Sequence, residues 1–136
     1  HPLVDLCNAV SLAFALPVAV FDLDKIDGYL EVRYAAGAET YLPFGGEPET
    51  PPRGEVIFAD GASQVHARRW TFRQSRYSAV SAGTRRALIV SEGMHDTAPE
   101  DVPALVEALA EEITAVWRPP RQQAILSALS PRLEFS

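Results

Sequence analysis

Proline sets the outline of this chain. Eleven of its 136 residues are proline, and each fixes φ and lacks an amide donor, so no regular helix or central strand runs through positions 17, 43, 48, 51, 52, 119 or 120. Upstream of Pro17, the residues Leu3, Leu6, Val10 and Phe14 recur at spacings of three and four, which predicts an amphipathic helix over 3–15. Residues 18–21 read as a short buried strand and 22–28 as a turn. From 29 to 34, Leu30, Val32 and Tyr34 alternate with Glu31 and Arg33, the pattern of a half-buried strand with its apolar residues on the core side. Residues 40–44 form another strand, held to an edge by Pro43. The three glycines and three prolines of 45–54 mark a loop. Strands over 56–59, 65–72 and 87–90 complete the set. A second helix starts within 97–101, where Pro99 and Pro103 are tolerated in or before a first turn. Val102, Leu105, Val106, Leu109, Ile113, Val116 and Trp117 form its core stripe, with Glu107, Glu111 and Glu112 off it. Pro119-Pro120 breaks this helix, and 122–129 reads as a last short one. One helix, many strands and then helices is the order of an α+β fold, not of a doubly wound sheet.

At 14.8 kDa and 47% hydrophobic residues, the chain reads as a single globular domain over 1–136 that buries roughly two-thirds of its unfolded surface. No apolar run is long enough to span a bilayer. The one cysteine, Cys7, cannot make an internal disulfide or a cysteine zinc site, and on the first helix it reads as a small buried hydrophobe. With no signal peptide in view, the expected location is intracellular and cytoplasmic. The chain starts at His1 without an initiator methionine, so the domain reads as truncated at its N-terminus. A glycine-rich phosphate loop, a dinucleotide fingerprint and a nucleophile elbow are all missing, which removes the usual support for kinase, dehydrogenase and ordinary hydrolase readings and points to no cofactor. His1, His66 and His95 lack metal-ligand spacing and read as surface or loop histidines.

The net charge of −6 argues at first against nucleic acid. Residues 61–91, however, contain no Asp or Glu and hold Arg68, Arg69, Arg73, Arg76, Arg85 and Arg86, half of the 12 basic residues. That stretch is +6 and the remainder −12. These arginines either pair with the acidic remainder or form a face for an anionic ligand. On a strand, Arg68, Trp70 and Phe72 face one way and Arg69, Thr71 and Arg73 the other, so stacking and bidentate hydrogen bonding are both available there. The alternative is an edge strand with solvated arginines and core aromatics. Asn8, an amide inside an apolar helix, needs a partner or a ligand. Glu92 closes the acid-free stretch at a strand end and needs a cation or a donor, supplied by a salt bridge or by a ligand.

Residues 4–10, Val-Asp-Leu-Cys-Asn-Ala-Val, then Pro17, then 20–26, Val-Phe-Asp-Leu-Asp-Lys-Ile, together resemble the editing module of the bacterial phenylalanyl-tRNA synthetase beta subunit. This is the tRNA-binding module called B-three/B-four. The similarity extends through 56–61 and 87–92, and the run 69–75, Arg-Trp-Thr-Phe-Arg-Gln-Ser, looks like stand-alone relatives of that module. The resemblance implies a three-layer arrangement of mixed sheets with flanking helices. It also implies an aminoacyl-tRNA deacylase that hydrolyses the ester of a mischarged tRNA without a covalent nucleophile. Its partners would be tRNA or aminoacyl-tRNA and a small amino acid, with no membrane. By the same resemblance, Asn8, Pro17 and Phe21 form the pocket wall. In the deacylase expected on that reading, Asn8 and Gln74 orient ester or water as the catalytic pair. Pro17, Phe21, Trp70, Ser75 and Glu92 bind the substrate, and Arg69, Arg73 and Arg76 hold tRNA phosphates. At Ala19 the synthetase module carries a histidine. A non-catalytic tRNA or amino-acid binding module is the alternative, and an interaction domain that has lost its ligand is a third.

Overall fold

Three layers follow from the faces that each strand buries. In the computed structural model, which describes residues 1–134, the element order is α1 (Pro2–Phe14), β1 (Val18–Asp22), β2 (Leu30–Tyr34), β3 (Thr40–Tyr41), β4 (Val56–Asp60), β5 (Gln64–Arg68), β6 (Arg73–Gln74), β7 (Ala87–Ser91) and α2 (Ala98–Val116). Two single 3-10 turns, Leu23–Lys25 and Arg76–Ser78, punctuate it. The middle layer is the antiparallel pair β1–β7, with Val20 opposite Ile89 and, on the other face, Ala19 opposite Val90 and Phe21 opposite Leu88. Val20 and Ile89 pack into one core with Cys7 and Val10 from the first helix, Leu16 just beyond it, and Leu105 and Leu109 from the second. Ala19 and Phe21 face Phe58 and Ala67 of a second sheet, ordered β2-β4-β5-β3 with β6 also on β5. Beyond that sheet, Ala35, Tyr41, Ile57, Ala59 and Val65 close a third core. Side chains as fully enclosed as Phe21 and Leu105 each contribute on the order of 1.5–3 kcal/mol. The fold is α+β with helices, sheet and sheet in three layers. No helix among the described residues is long and apolar enough to cross a membrane.

Local chemistry explains the boundaries. The His1 side chain caps α1 by accepting from the Leu3 amide at 3.1 Å, and Pro2 occupies the first turn. The helix ends where Ala15 turns left-handed at φ 54°, and Pro17 leads directly into β1. Cys7 is buried as expected, and burial pushes its thiol up to about 11.

Several expectations need correction. The strand read over 65–72 stops at Arg68, because Arg69 and Trp70 take left-handed conformations at φ 49° and 63°. The chain doubles back there into β6, so Arg68, Trp70 and Phe72 do not share a strand face. In β2 the alternation is real, but Val32 and Tyr34 are 49% and 73% exposed. The two-stranded middle layer is too narrow to cover this edge strand beyond Leu30, which does join the intersheet core. The strand at 40–44 is cut to two residues before Leu42-Pro43. On α2 the core stripe ends at Ile113, and Val116 and Trp117 are exposed because the 19-residue helix outruns the 13-residue α1 it packs against. Residues 122–129 form no helix; a lone bridge joins Ser127 to Ser130 in an exposed segment, and a helix this short is marginal without tertiary packing.

His66 is fully buried, neither surface nor loop. Phe58 pairs with Ala67 and Ala59 with Val65, so His66 is the extra residue of a β-bulge. The bulge aims its ring inward, where Nε2 lies 2.7 Å from Asp60 Oδ2 and Nδ1 lies 2.8 Å from Ser78 Oγ. Asp60 also accepts from the amides of Asp27, Ala62 and Gln64. Burial opposes its ionisation, but His66 and these amides together hold its carboxyl below the usual range. The cluster ties β4, β5 and the Arg76–Ser78 turn together and is enclosed on all sides.

Candidate functional site

Three chain segments meet at one end of the middle layer around a cleft of about 160 Å³. The first is the exit from α1, Ala15-Leu16-Pro17; the second is the left-handed turn with Trp70 and Phe72; the third is Glu92-Gly93-Met94-His95, beyond β7. Antiparallel pairing sets the first against the third, since Val18 lies opposite Ser91 and Ser91 Oγ donates to the Pro17 carbonyl at 2.8 Å. Gly93 lets α2 start close by: a Cβ there would stand 2.9 Å from the Ala98 Cβ and 3.0 Å from Val102 Cγ2. The left-handed pair Arg69-Trp70 swings the indole to the same place, anchored by the Trp70 amide on the Val56 carbonyl.

The walls are apolar and the polar groups few, as in small-molecule sites generally. Glu92 Oε1 and the adjacent Thr71 Oγ1 are buried, and neither makes a hydrogen bond of ordinary geometry among the described residues. Burial pushes the Glu92 carboxyl above the usual carboxylate range, while the nearby Thr71 hydroxyl and main chain pull weakly the other way. On the rim, His95 Nε2 lies 2.7 Å from Asp101 Oδ2, which also accepts from Thr97 Oγ1 at 2.6 Å. Thr97, with help from His95, holds the Asp101 carboxyl below its usual value. An imidazole fixed by a carboxylate on one nitrogen has a defined orientation and can take a proton on the other. Among the described residues, no cluster of three His, Cys, Asp or Glu side chains could hold a metal ion.

Of the residues singled out from sequence, Pro17, Trp70 and Glu92 line the cleft. The others lie elsewhere. Asn8 is exposed on α1. Phe21 is enclosed between the sheets, its ring centroid 6.0 Å from that of Phe58. Gln74 Nε2 donates to the Val20 carbonyl at 2.8 Å, tying β6 to β1. Ser75 is buried, donating to the Leu42 carbonyl and capping the Tyr77 amide. Arg69 Nε contacts Glu55 at 3.3 Å, Arg73 contacts Glu49 at 3.6 Å, and Arg76 is exposed. Both alternatives for the arginines therefore have members. Arg68 is locked between Glu55 and Glu49 over the Tyr41 ring, whereas Arg76 and Arg85 have no ion-pair partner among the described residues. His95 is an exposed loop histidine, but its position on the rim beside Asp101 was missed. The available signal was Asp101, six residues on in the first turn of a predicted helix, rather than the adjacent Asp96.

Residues 1–100 match the B3/4 domain family. The chain is 34% identical over 88 residues to the phenylalanine–tRNA ligase beta subunit of Shewanella oneidensis, covering 65% of this chain and 11% of that one. It is 37% identical over 60 residues to the same subunit from Legionella pneumophila (strain Lens), covering 44% and 8%. It thus spans only a small part of the curated relatives it matches. Among solved structures, an N-terminal fragment of the phenylalanyl-tRNA synthetase beta-subunit from Pyrococcus horikoshii superposes with a TM-score of 0.61 at 19% identity, over 80% of this chain and 39% of that one. At that identity the likeness is one of fold.

Proposed function

Because this chain belongs to the B3/4 domain family, and its sequence relatives are phenylalanine–tRNA ligase beta subunits, we propose that its cleft receives the aminoacyl end of a charged tRNA and hydrolyses the ester of a wrongly attached amino acid. One observation carries the reading. Glu92, in the wall of a mostly apolar cleft, keeps a buried oxygen that makes no hydrogen bond of ordinary geometry among the described residues, and such a group is normally paired. An amino group or side-chain hydroxyl of the ligand supplies the missing donor, while Pro17, Trp70, Phe72 and Met94 enclose the rest of the side chain.

The chemistry needs no covalent nucleophile. An aminoacyl ester is labile, so positioning one water and one base is sufficient. His95, oriented by Asp101, takes a proton from water as the water oxygen bonds to the ester carbon. The bond to the ribose oxygen then breaks, and that oxygen receives the proton. Arg76, exposed and without an ion-pair partner among the described residues, holds the phosphates that lead to the ester.

The test is release of labelled amino acid from a panel of aminoacyl-tRNAs by this chain and by its Glu92→Ala and His95→Ala variants. The expected result is selective release from a mischarged species, lost in Glu92→Ala and reduced on the order of 100-fold or more in His95→Ala. No release from any member of the panel, with tRNA still raising the melting midpoint, overturns hydrolysis in favour of a binding module.

A further inference from the structure

The second sheet has one blunt edge and one open edge. On one side, β5 is flanked by the two-residue strands β3 and β6, while on the other side, among the described residues, five residues of β2 have β4 as their only neighbouring strand. Edge strands are usually protected by a bulge, a proline or charged side chains, lysine above all. β2, Leu-Glu-Val-Arg-Tyr, has no bulge, proline or lysine, and its two charges, Glu31 and Arg33, are of opposite sign and paired with each other. It presents Val32 and Tyr34 at 49% and 73% exposure, with Tyr29 at 57% just before it. Its free backbone groups can be located. The Ala35 amide donates to the Glu55 carbonyl at 2.7 Å, extending the β2–β4 ladder. The alternation of an antiparallel pair then turns residues 31 and 33 toward β4 and leaves the main-chain groups of Leu30, Val32 and Tyr34 facing outward. The Tyr34 carbonyl, reached by Arg33 Nη1 at 3.1 Å, fits that assignment.

We propose that a second copy of this chain pairs with β2 antiparallel about a two-fold axis at Val32, joining two five-stranded sheets edge to edge. The sequence of β2 selects this partner and this register. Centred on Val32, the pairing sets Leu30 opposite the partner's Tyr34 and Glu31 opposite the partner's Arg33, twice by symmetry. Moving the centre to residue 31 or 33 sets Glu31 or Arg33 against itself, a like-charge pair directly opposite, which is destabilising. Glu31 is half exposed and contacts its own Arg33 at 3.1 Å, while Arg33 is also held by buried Glu39. The guanidinium is therefore already in position for a carboxylate from across the axis. On the same face the exposed Val32 side chain covers its own counterpart across the axis, and each Tyr34 covers the Leu30 opposite it. None of this depends on the chemistry of the cleft.

Sedimentation over a concentration series tests the proposal. The unmodified chain should approach twice its 14.8 kDa mass. Val32→Lys places two ammonium groups at the axis and should hold the chain at single mass. Its melting midpoint should equal that of the dissociated unmodified chain, because Val32 is half exposed. Val32→Cys should form a covalent dimer on mild oxidation, since the native Cys7 is buried, whereas Leu12→Cys on exposed α1 should not. A chain that stays monomeric throughout overturns the proposal. So does a dimer that survives Val32→Lys, which would place the contact elsewhere, as in the open groove between α2 and residues 123–125.

Discussion

Glu92 sits where folding and binding make opposite demands on one carboxyl. Burial raises its pKa, so folding favours the protonated form. The associated stability is complete below the unfolded value of about 4.3 and is lost as pH rises through the folded value. A Glu92→Gln variant has nothing to ionise. It should therefore be the more stable protein at neutral pH, by about 1 kcal/mol, the scale of one poorly satisfied buried group. Thermal melts of both proteins from pH 4 to 8 check this. The gap in midpoint should widen as pH rises through the folded value, whereas a gap that stays constant with pH would mean that Glu92 is solvated in the folded protein. Activity should move the opposite way, because the same group is proposed to read the ligand. Glu92 was legible in sequence because an acid closing an acid-free stretch at a strand end stands out. His66 was not, because the spacing of residues 56–68 gives no sign of the bulge that turns its ring inward between Asp60 and Ser78.

At the scale of elements, the cleft depends on how tightly α2 docks beyond β7, and Gly93 sets that distance. A Cβ at this position would meet the Ala98 Cβ and Val102 Cγ2 at 2.9 and 3.0 Å, closer than side-chain atoms normally pack. Gly93→Ala should push the first turn of α2 away and cost about 1–3 kcal/mol, the range for overpacking. Urea unfolding at an unchanged slope measures that cost. An unchanged midpoint would show that α2 yields freely. Shifting this turn also moves Asp101 relative to His95, so release should fall with stability. The helices and most strands were legible because prolines and turn residues delimit them. The turn at Arg69-Trp70 was not, since Arg-Arg-Trp-Thr-Phe alternates as a strand does and neither residue is a glycine. The face of β2 was misread for a different reason. Alternation reports that two faces differ, while whether a face is covered depends on the width of the sheet packed against it.

Across the whole molecule, an acidic chain has to present its positive charge locally if it is to meet a polyanion. Most of the +6 stretch is neutralised within the fold: Glu55 and Glu49 take Arg68, Arg69 and Arg73, and Asp24 takes Arg86. Arg76 and Arg85 are left, with Lys25 on the 3-10 turn beside that of Arg76. This basic end lies at the Asp22–Ala87 side of the middle layer and the cleft at the Val18–Ser91 side, the length of a five-residue strand or about 13 Å apart. That separation suits a nucleic acid whose phosphates are held at one end while its terminal ester reaches the other. Arg76→Ala should then weaken tRNA binding and reduce the salt slope, log Kd against log salt, by about 0.7–0.9, the loss of one phosphate contact. Arg73→Ala should change it less, because Arg73 is already shared with Glu49 and Tyr41. Single-turnover release at saturating protein should be unchanged in Arg76→Ala, since the guanidinium is remote from the ester. Filter binding at several salt concentrations decides the matter. An unaltered slope in Arg76→Ala, or a slope that falls further in Arg73→Ala, would move the phosphate path away from this end of the sheet.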